Sequence, residues 1–177
     1  MENVFERSLE DFLQYVKTIR YGYRDVLGGL HTRQPYDFER YPYAFSAPEE
    51  VMRNRCGWCW DVCELIRAYA RKNGIPVRTW FFEYRDGSAH FTHTQAVIER
   101  NGLWHMVPDN SDPHDFDEKN GAPLDALTER MAGYFREYVK SAAEGPVRED
   151  AFLIREYSGS PESGMSDEDV LRLLRNA

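Results

Sequence analysis

The sequence predicts an α+β domain in which one buried helix packs on a small antiparallel sheet. Three features carry that prediction. Val62, Leu65, Ile66, Tyr69 and Ala70 fall at helical spacing between Cys59 and Lys72. The period then switches to strand from Val77 to Tyr84, and two further strands follow through short turns. A long amphipathic helix is expected from Pro123 to Ala143, with Leu124, Leu127, Met131, Tyr134, Phe135 and Val139 as its buried stripe.

The first helix rests on Val4, Phe5, Leu9, Phe12, Leu13, Val16 and Ile19, with Ser8 and Asp11 as a local capping pair. From Gly22 to Pro48 the chain is irregular and rich in aromatics. So many rings are costly to leave in water, so this stretch reads as a packed loop. Ser46 as cap, Pro48, Glu49 and Glu50 start a short helix running to about Arg53. Asn73-Gly74 and Pro76 end the central helix. After the strand that follows, Arg85 to Ser88 form a turn, Phe91 to Arg100 a second strand and Leu103 to Val107 a third. Ala151 to Tyr157 make one more strand. Residues 1–157 form the domain, and residues 158–177 read as a Ser/Gly/Pro-rich linker with a short terminal helix capped by Ser166 and Asp169.

A chain of 177 residues is one domain by size, and 42% apolar composition is enough for a core. A net charge of −8 argues against a nucleic-acid partner. No apolar run approaches the ~18–20 residues that span a bilayer, and the acidic N-terminus lacks the apolar stretch of a secretory signal, so a cytoplasmic protein without a membrane partner is expected. The three cysteines, Cys56, Cys59 and Cys63, cluster within eight positions, a pattern of local chemistry rather than a disulfide framework.

A nucleophilic cysteine needs a setting that favours thiolate, a base within hydrogen-bond reach and a third group that orients the base. Cys59 stands at the expected N-terminus of the central helix, where unpaired backbone N–H groups favour a thiolate and an oxyanion. His93 lies in the second strand and Asp109 beyond the third. A two-residue Asn101-Gly102 turn would set position 93 opposite 110, with side chains on opposite faces. A three-residue Arg100-Asn101-Gly102 loop sets His93 opposite Asp109 and gathers Ala96, Ile98, Trp104 and Met106 on one apolar face, so burial favours the three-residue register.

Gly57-Trp58-Cys59-Trp60-Asp61 resembles the nucleophile signature of transglutaminase-like domains. Gly74 to Arg78 is similar to a recurrent segment of that superfamily, and His93 and Asp109 fall where its histidine and aspartate stand. The resemblance spans roughly Arg53 to Asn110 and looks most like small uncharacterised bacterial members. It implies a papain-like core in which Cys59 attacks a carbonyl, His93 exchanges the proton and Asp109 orients His93. It further implies a thioester intermediate on a peptide, protein or small amide, with no cofactor and no metal. Hydrolysis is preferred over transfer to an amine, since no amine site is visible. Two departures stand out: Thr94-Gln95-Ala96 replaces the aromatic-containing run that often follows the histidine, and Cys56 is an added thiol.

Trp58 is read as lining the acyl cleft, Trp60 as core beside the nucleophile and Gln95 as a supporting hydrogen-bond partner. The aromatic loop from Tyr36 to Phe45 is read as a cover over the cleft. Cys63 reads as a small buried hydrophobe, and Asp61 as an acid suited to the helix start. His105 is expected opposite Val97. Cys56 and Cys59 also compose a Cys-x-x-Cys pair, so a thiol–disulfide protein is an alternative, as is a catalytically silent binding module; Cys56 as a reversible disulfide partner of Cys59 is the intermediate case. Zinc is not expected, because no second half-site exists.

Overall fold

In a computed structural model, which describes residues 4–87, 89–112 and 114–176, helix α1 runs from Leu9 to Lys17. Ser8 caps it: its hydroxyl accepts the Asp11 amide at 3.1 Å and donates to the Asp11 carboxylate at 2.7 Å. Strands β1 (Arg20–Tyr21), β2 (Tyr23–Asp25), β3 (Leu30–His31) and β4 (Tyr43–Ala44) follow. The stretch expected to be a packed loop therefore contains a small β3-β2-β4 sheet. Its aromatics give no clean alternation from which these two- and three-residue strands are readable.

Helix α2 spans Pro48–Asn54. Proline at the first helical position makes Ala47 the cap, so Ser46 is released from that role and its amide donates to Asp61 at 2.9 Å. Strand β5 (Cys56–Gly57) pairs parallel with β1, and helix α3 then runs from Cys59 to Lys72. Strands β6 (Val77–Arg85), β7 (His90–Arg100) and β8 (Leu103–Met106), helix α4 (Leu124–Ala142), strand β9 (Phe152–Tyr157) and helix α5 (Asp167–Asn176) complete the order. Ser88, expected in the β6–β7 turn, lies outside the described residues. Four strands form an antiparallel sheet in the order β8-β7-β6-β9.

This sheet is covered on both sides. Phe81, Ala96 and Ile98 pack with α1, α3 and α5 in one cluster, whereas Trp80, Phe82, Tyr84 and Val97 pack with α4 in a second. Alternate residues of β7 therefore face different helices. The β7–β8 turn differs from expectation. Arg100 pairs with Leu103 across a two-residue Asn101-Gly102 turn, with φ of 55° and 78°. An Asn-Gly pair with positive φ at both positions matches the twist of the flanking strands. His105 consequently stands opposite Ile98, not Val97, and Met106 opposite Val97. With a helix on each face, both registers bury apolar side chains, so burial does not discriminate between them.

Candidate active site

Cys59 is the first residue of α3 and is 2% exposed. Trp58 precedes it in extended conformation and supplies no side-chain cap, leaving the first-turn amides without that partner. Space at Gly57 is tight: a Cβ would come within 3.1–3.3 Å of Val62, Asp61 and Val51, which would have to give by a few tenths of an ångström. Asp61 does more than complement the helix dipole. Fully buried, it accepts hydrogen bonds from Trp58 N–H at 2.8 Å, the Tyr43 hydroxyl at 2.6 Å and Ser46 N–H at 2.9 Å. Burial pushes its carboxyl up to about 6, against those three bonds and Arg24, which lower it.

Asp109 reaches the site by a route other than strand pairing. The last rung is Val107 N–H to Ala96 C=O at 3.0 Å, and Pro108 has no N–H with which to continue the ladder. One Asp109 oxygen accepts from Ser111 N–H and hydroxyl, both at 2.7 Å, and from Asp112 N–H at 3.1 Å. The next residue, Asn110, donates to the Gly57 carbonyl at 2.9 Å, tying this turn to the start of α3. Asp109 is 7% exposed, and its second oxygen has no hydrogen-bond partner among the described residues. Gln95 supports the same departure from the sheet: its amide donates to Val107 C=O at 2.6 Å and Ala96 C=O at 2.9 Å.

Burial raises the Cys59 thiol far above its ordinary value, and the nearby Asp109 carboxylate raises it further. The Thr94 amide and hydroxyl oppose this from β7. Thr94, rather than His93, is thus the β7 residue set against the sulfur. His93 is half-buried, with its ring 6.4 Å from that of Phe82, and forms no hydrogen bond among the described residues. His93 and Asp109 nevertheless line one cleft of about 630 Å³, together with Tyr21 and Gln95. Tyr21 bridges the parts: its hydroxyl is raised first by burial and then by Cys59 and Asp109. The three-residue loop expected to join His93 to Asp109 is absent, and the residues meet at the cleft through the turn after Pro108.

Trp58 stacks on Phe38 with centroids 5.4 Å apart and on Trp60 at 6.2 Å, and Tyr36 stands 5.8 Å away. The aromatic loop therefore packs over the tryptophan beside Cys59. Trp60 is buried at 8% exposure. Cys56 is buried on β5; burial pushes its thiol up to about 11, with Arg20 lowering it and Asp61 raising it. All three cysteines are free, and Cys63 accepts from the Tyr157 hydroxyl at 3.3 Å. Among the described residues no group of three His, Cys, Asp or Glu side chains converges as a metal ion requires. No helix among them is long and apolar enough to cross a membrane.

Sequence reasoning missed Tyr21, Thr94 and Asn110. Thr94 follows from the β7 alternation once the two faces of the sheet are known. Tyr21 and Asn110 carry no local signal, because contacts distant in sequence bring them to the site.

A buried helix that opens on a cysteine, packed on an antiparallel sheet with a histidine and an aspartate at one cleft, defines a papain-like α+β domain. Residues 9–118 match the family model of the transglutaminase-like superfamily, and the chain belongs to that superfamily. No curated protein matches the chain.

Proposed function

We propose that this protein carries out cysteine-dependent acyl chemistry on an amide, with Cys59 as nucleophile, His93 as proton acceptor and donor, and Asp109 as the group that orients His93. The observation that carries this reading is the partnerless Asp109 oxygen in a cleft that His93 also lines, with the Asp109 carboxylate close enough to the buried Cys59 to raise its thiol. A buried carboxylate oxygen without a donor is costly, and an imidazole N–H turned toward it removes that cost. In the resting arrangement burial keeps the thiol protonated. The His93 ring, which in this arrangement lies beside Phe82, must turn to the Cys59 sulfur to take its proton, and the resulting imidazolium is stabilised by the Asp109 carboxylate at the same cleft.

The thiolate then attacks the amide carbonyl, and the first-turn amides of α3 face the developing oxyanion. Collapse expels the amine, which takes its proton from His93, and leaves a thioester. Water resolves the thioester in hydrolysis and an amine resolves it in transfer; hydrolysis is the preferred outcome. The substrate is a peptide, protein or small amide.

Covalent labelling by an activated acyl ester, read by intact-mass spectrometry, tests this. Cys59→Ala abolishes the adduct, and His93→Ala and Asp109→Asn each slow it by about 100-fold or more. Cys56→Ala leaves it substantially intact. An adduct on Cys56, or labelling indifferent to His93, sinks the proposal. The burial of Cys59 favours a second reading, a binding module on the same fold, and folded wild-type protein that is never acylated establishes it.

A further inference from the structure

The cleft that holds His93 and Asp109 continues along α4. One wall is apolar and aromatic: Phe82, Met106, Met131, Phe135 and Tyr138 line it. Tyr138 is 53% exposed and Tyr134 60% exposed, an unusual investment of aromatic surface one helical turn apart at the mouth. Tyr138 meets Phe91 edge-on at 5.8 Å, which fixes its ring against the sheet. The other wall is polar and acidic, with Asp109, Asp112 and Ser111. No lysine or arginine is among the described residues lining the cleft. Met131, Phe135 and Tyr138 belong to helix α4, beyond the residues that match the superfamily model, whereas Phe82 and Met106 lie within them.

We infer that the α4 wall is the acyl-side specificity site, and that it selects amides whose acyl residue bears an aromatic or large apolar side chain and no negative charge. The inference rests on the proposed acyl chemistry for the word "acyl", but not for the cleft's preference among ligands. Its logic is complementarity. A cleft of about 630 Å³ holds a drug-sized ligand and not merely a methyl group. Phe82, Phe135 and Met131 offer apolar and ring contacts to such a side chain. Asp109 and Asp112, with no lysine or arginine beside them, disfavour an anionic ligand, and His114, which also lines the cleft, is engaged by Asp112 at 2.9 Å. An amide whose ring lies along α4 presents its polar end to His93 and Asp109, and Asp109 and Tyr21 are the lining residues that adjoin the buried Cys59.

The test uses full-length Cys59→Ala protein titrated calorimetrically with three unreactive probes: N-acetylphenylalaninamide, N-acetylglycinamide and N-acetylaspartic acid amide. The aromatic amide is expected to bind at least tenfold more tightly than either of the others. Tyr138→Ser, at a half-exposed position, weakens it severalfold. Met131→Trp, which fills the cleft, weakens it by more than tenfold in protein whose thermal melt shows that it folds. Equal affinity for the three probes, or aromatic binding that neither substitution changes, overturns the inference. Labelling of wild-type protein by an activated acyl ester is measured in parallel. Aromatic preference without labelling upholds the cleft and removes the chemistry, whereas labelling without aromatic preference does the reverse.

Discussion

Asp61 shows how one side chain couples the turn before Cys59 to its surroundings. Its carboxylate gathers two donors from the distant segment 43–46 and one from Trp58, three residues back, and so holds Trp58, next to Cys59, against Tyr43 and Ser46. In Asp61→Asn the amide nitrogen faces either an N–H or a hydroxyl that was donating, so at least one buried donor loses its acceptor. A cost of about 2–3 kcal/mol follows, read as a lower denaturant midpoint. The pH dependence has a definite sign. The folded carboxyl sits near 6, above its ordinary 3.8, so the folded state holds this proton more firmly than the unfolded chain. The contribution is therefore lost as pH rises from about 4 to about 6, and Asp61→Asn lacks that slope. Cys59 was legible in sequence because a helix start is a local property. The roles of Asp61 as a hub and Thr94 as neighbour of the sulfur were not, since their partners come from other elements.

Among the elements, the helices were readable because caps and 3.6-residue periodicity act within a few residues; the Ser8–Asp11 cap and the Asn73-Gly74 stop are examples. The β7–β8 register was misread. A one-sided sheet would have made burial decisive, but α3 and α4 cover both faces, and the Asn-Gly turn chemistry prevails. The sheet also takes part in a clamp that no pattern announced. Glu83 on β6 is 5% exposed, accepts from Arg175 of α5 at 2.8 Å and meets His90 at 2.7 Å. Burial raises its carboxyl, but the bonds from Arg175 and His90 prevail and hold it near 2, below the ordinary 4.5. Here the folded state releases the proton more readily than the unfolded chain. The stabilisation is fully present above about pH 4.5 and is lost as pH falls toward 2. Glu83→Gln should flatten the acid limb of a stability-versus-pH curve; an acid limb identical to wild type means that the clamp contributes nothing.

On the scale of the whole molecule, residues 158–176 are bound to the core by the centre of α3. Arg67 is 2% exposed, pairs with Glu64 at 2.7 Å and donates to the Ser158 and Gly159 carbonyls at 3.3 and 2.8 Å. It also donates to the Ser160 hydroxyl and lies over the Tyr157 ring. Further along, Met165 C=O accepts from Phe45 N–H at 2.8 Å, and Gly164 N–H donates to Phe45 C=O at 2.9 Å. Val170, Leu171 and Leu174 of α5 then enter the cluster that contains α1 and α3. Composition reads residues 158–165 as a linker because Ser, Gly and Pro are typical of flexible chain, and a buried arginine that recruits backbone carbonyls leaves no trace in that segment itself. The strap ends on Phe45, beside Ser46, whose amide is held by Asp61 near Cys59, so the C-terminal segment supports the site through a continuous set of contacts. Arg67→Ala leaves Glu64 buried without its cation and should cost about 3–5 kcal/mol. The double change Arg67→Met with Glu64→Leu removes both charges, so its global stability should stay closer to wild type while the carbonyls of residues 158–159 lose their donor. Limited proteolysis separates the two effects: the double variant should be cut between residues 158 and 166 much faster than wild type at equal thermal stability. Equal cutting rates would mean that the α5 contacts, and not Arg67, hold the strap in place.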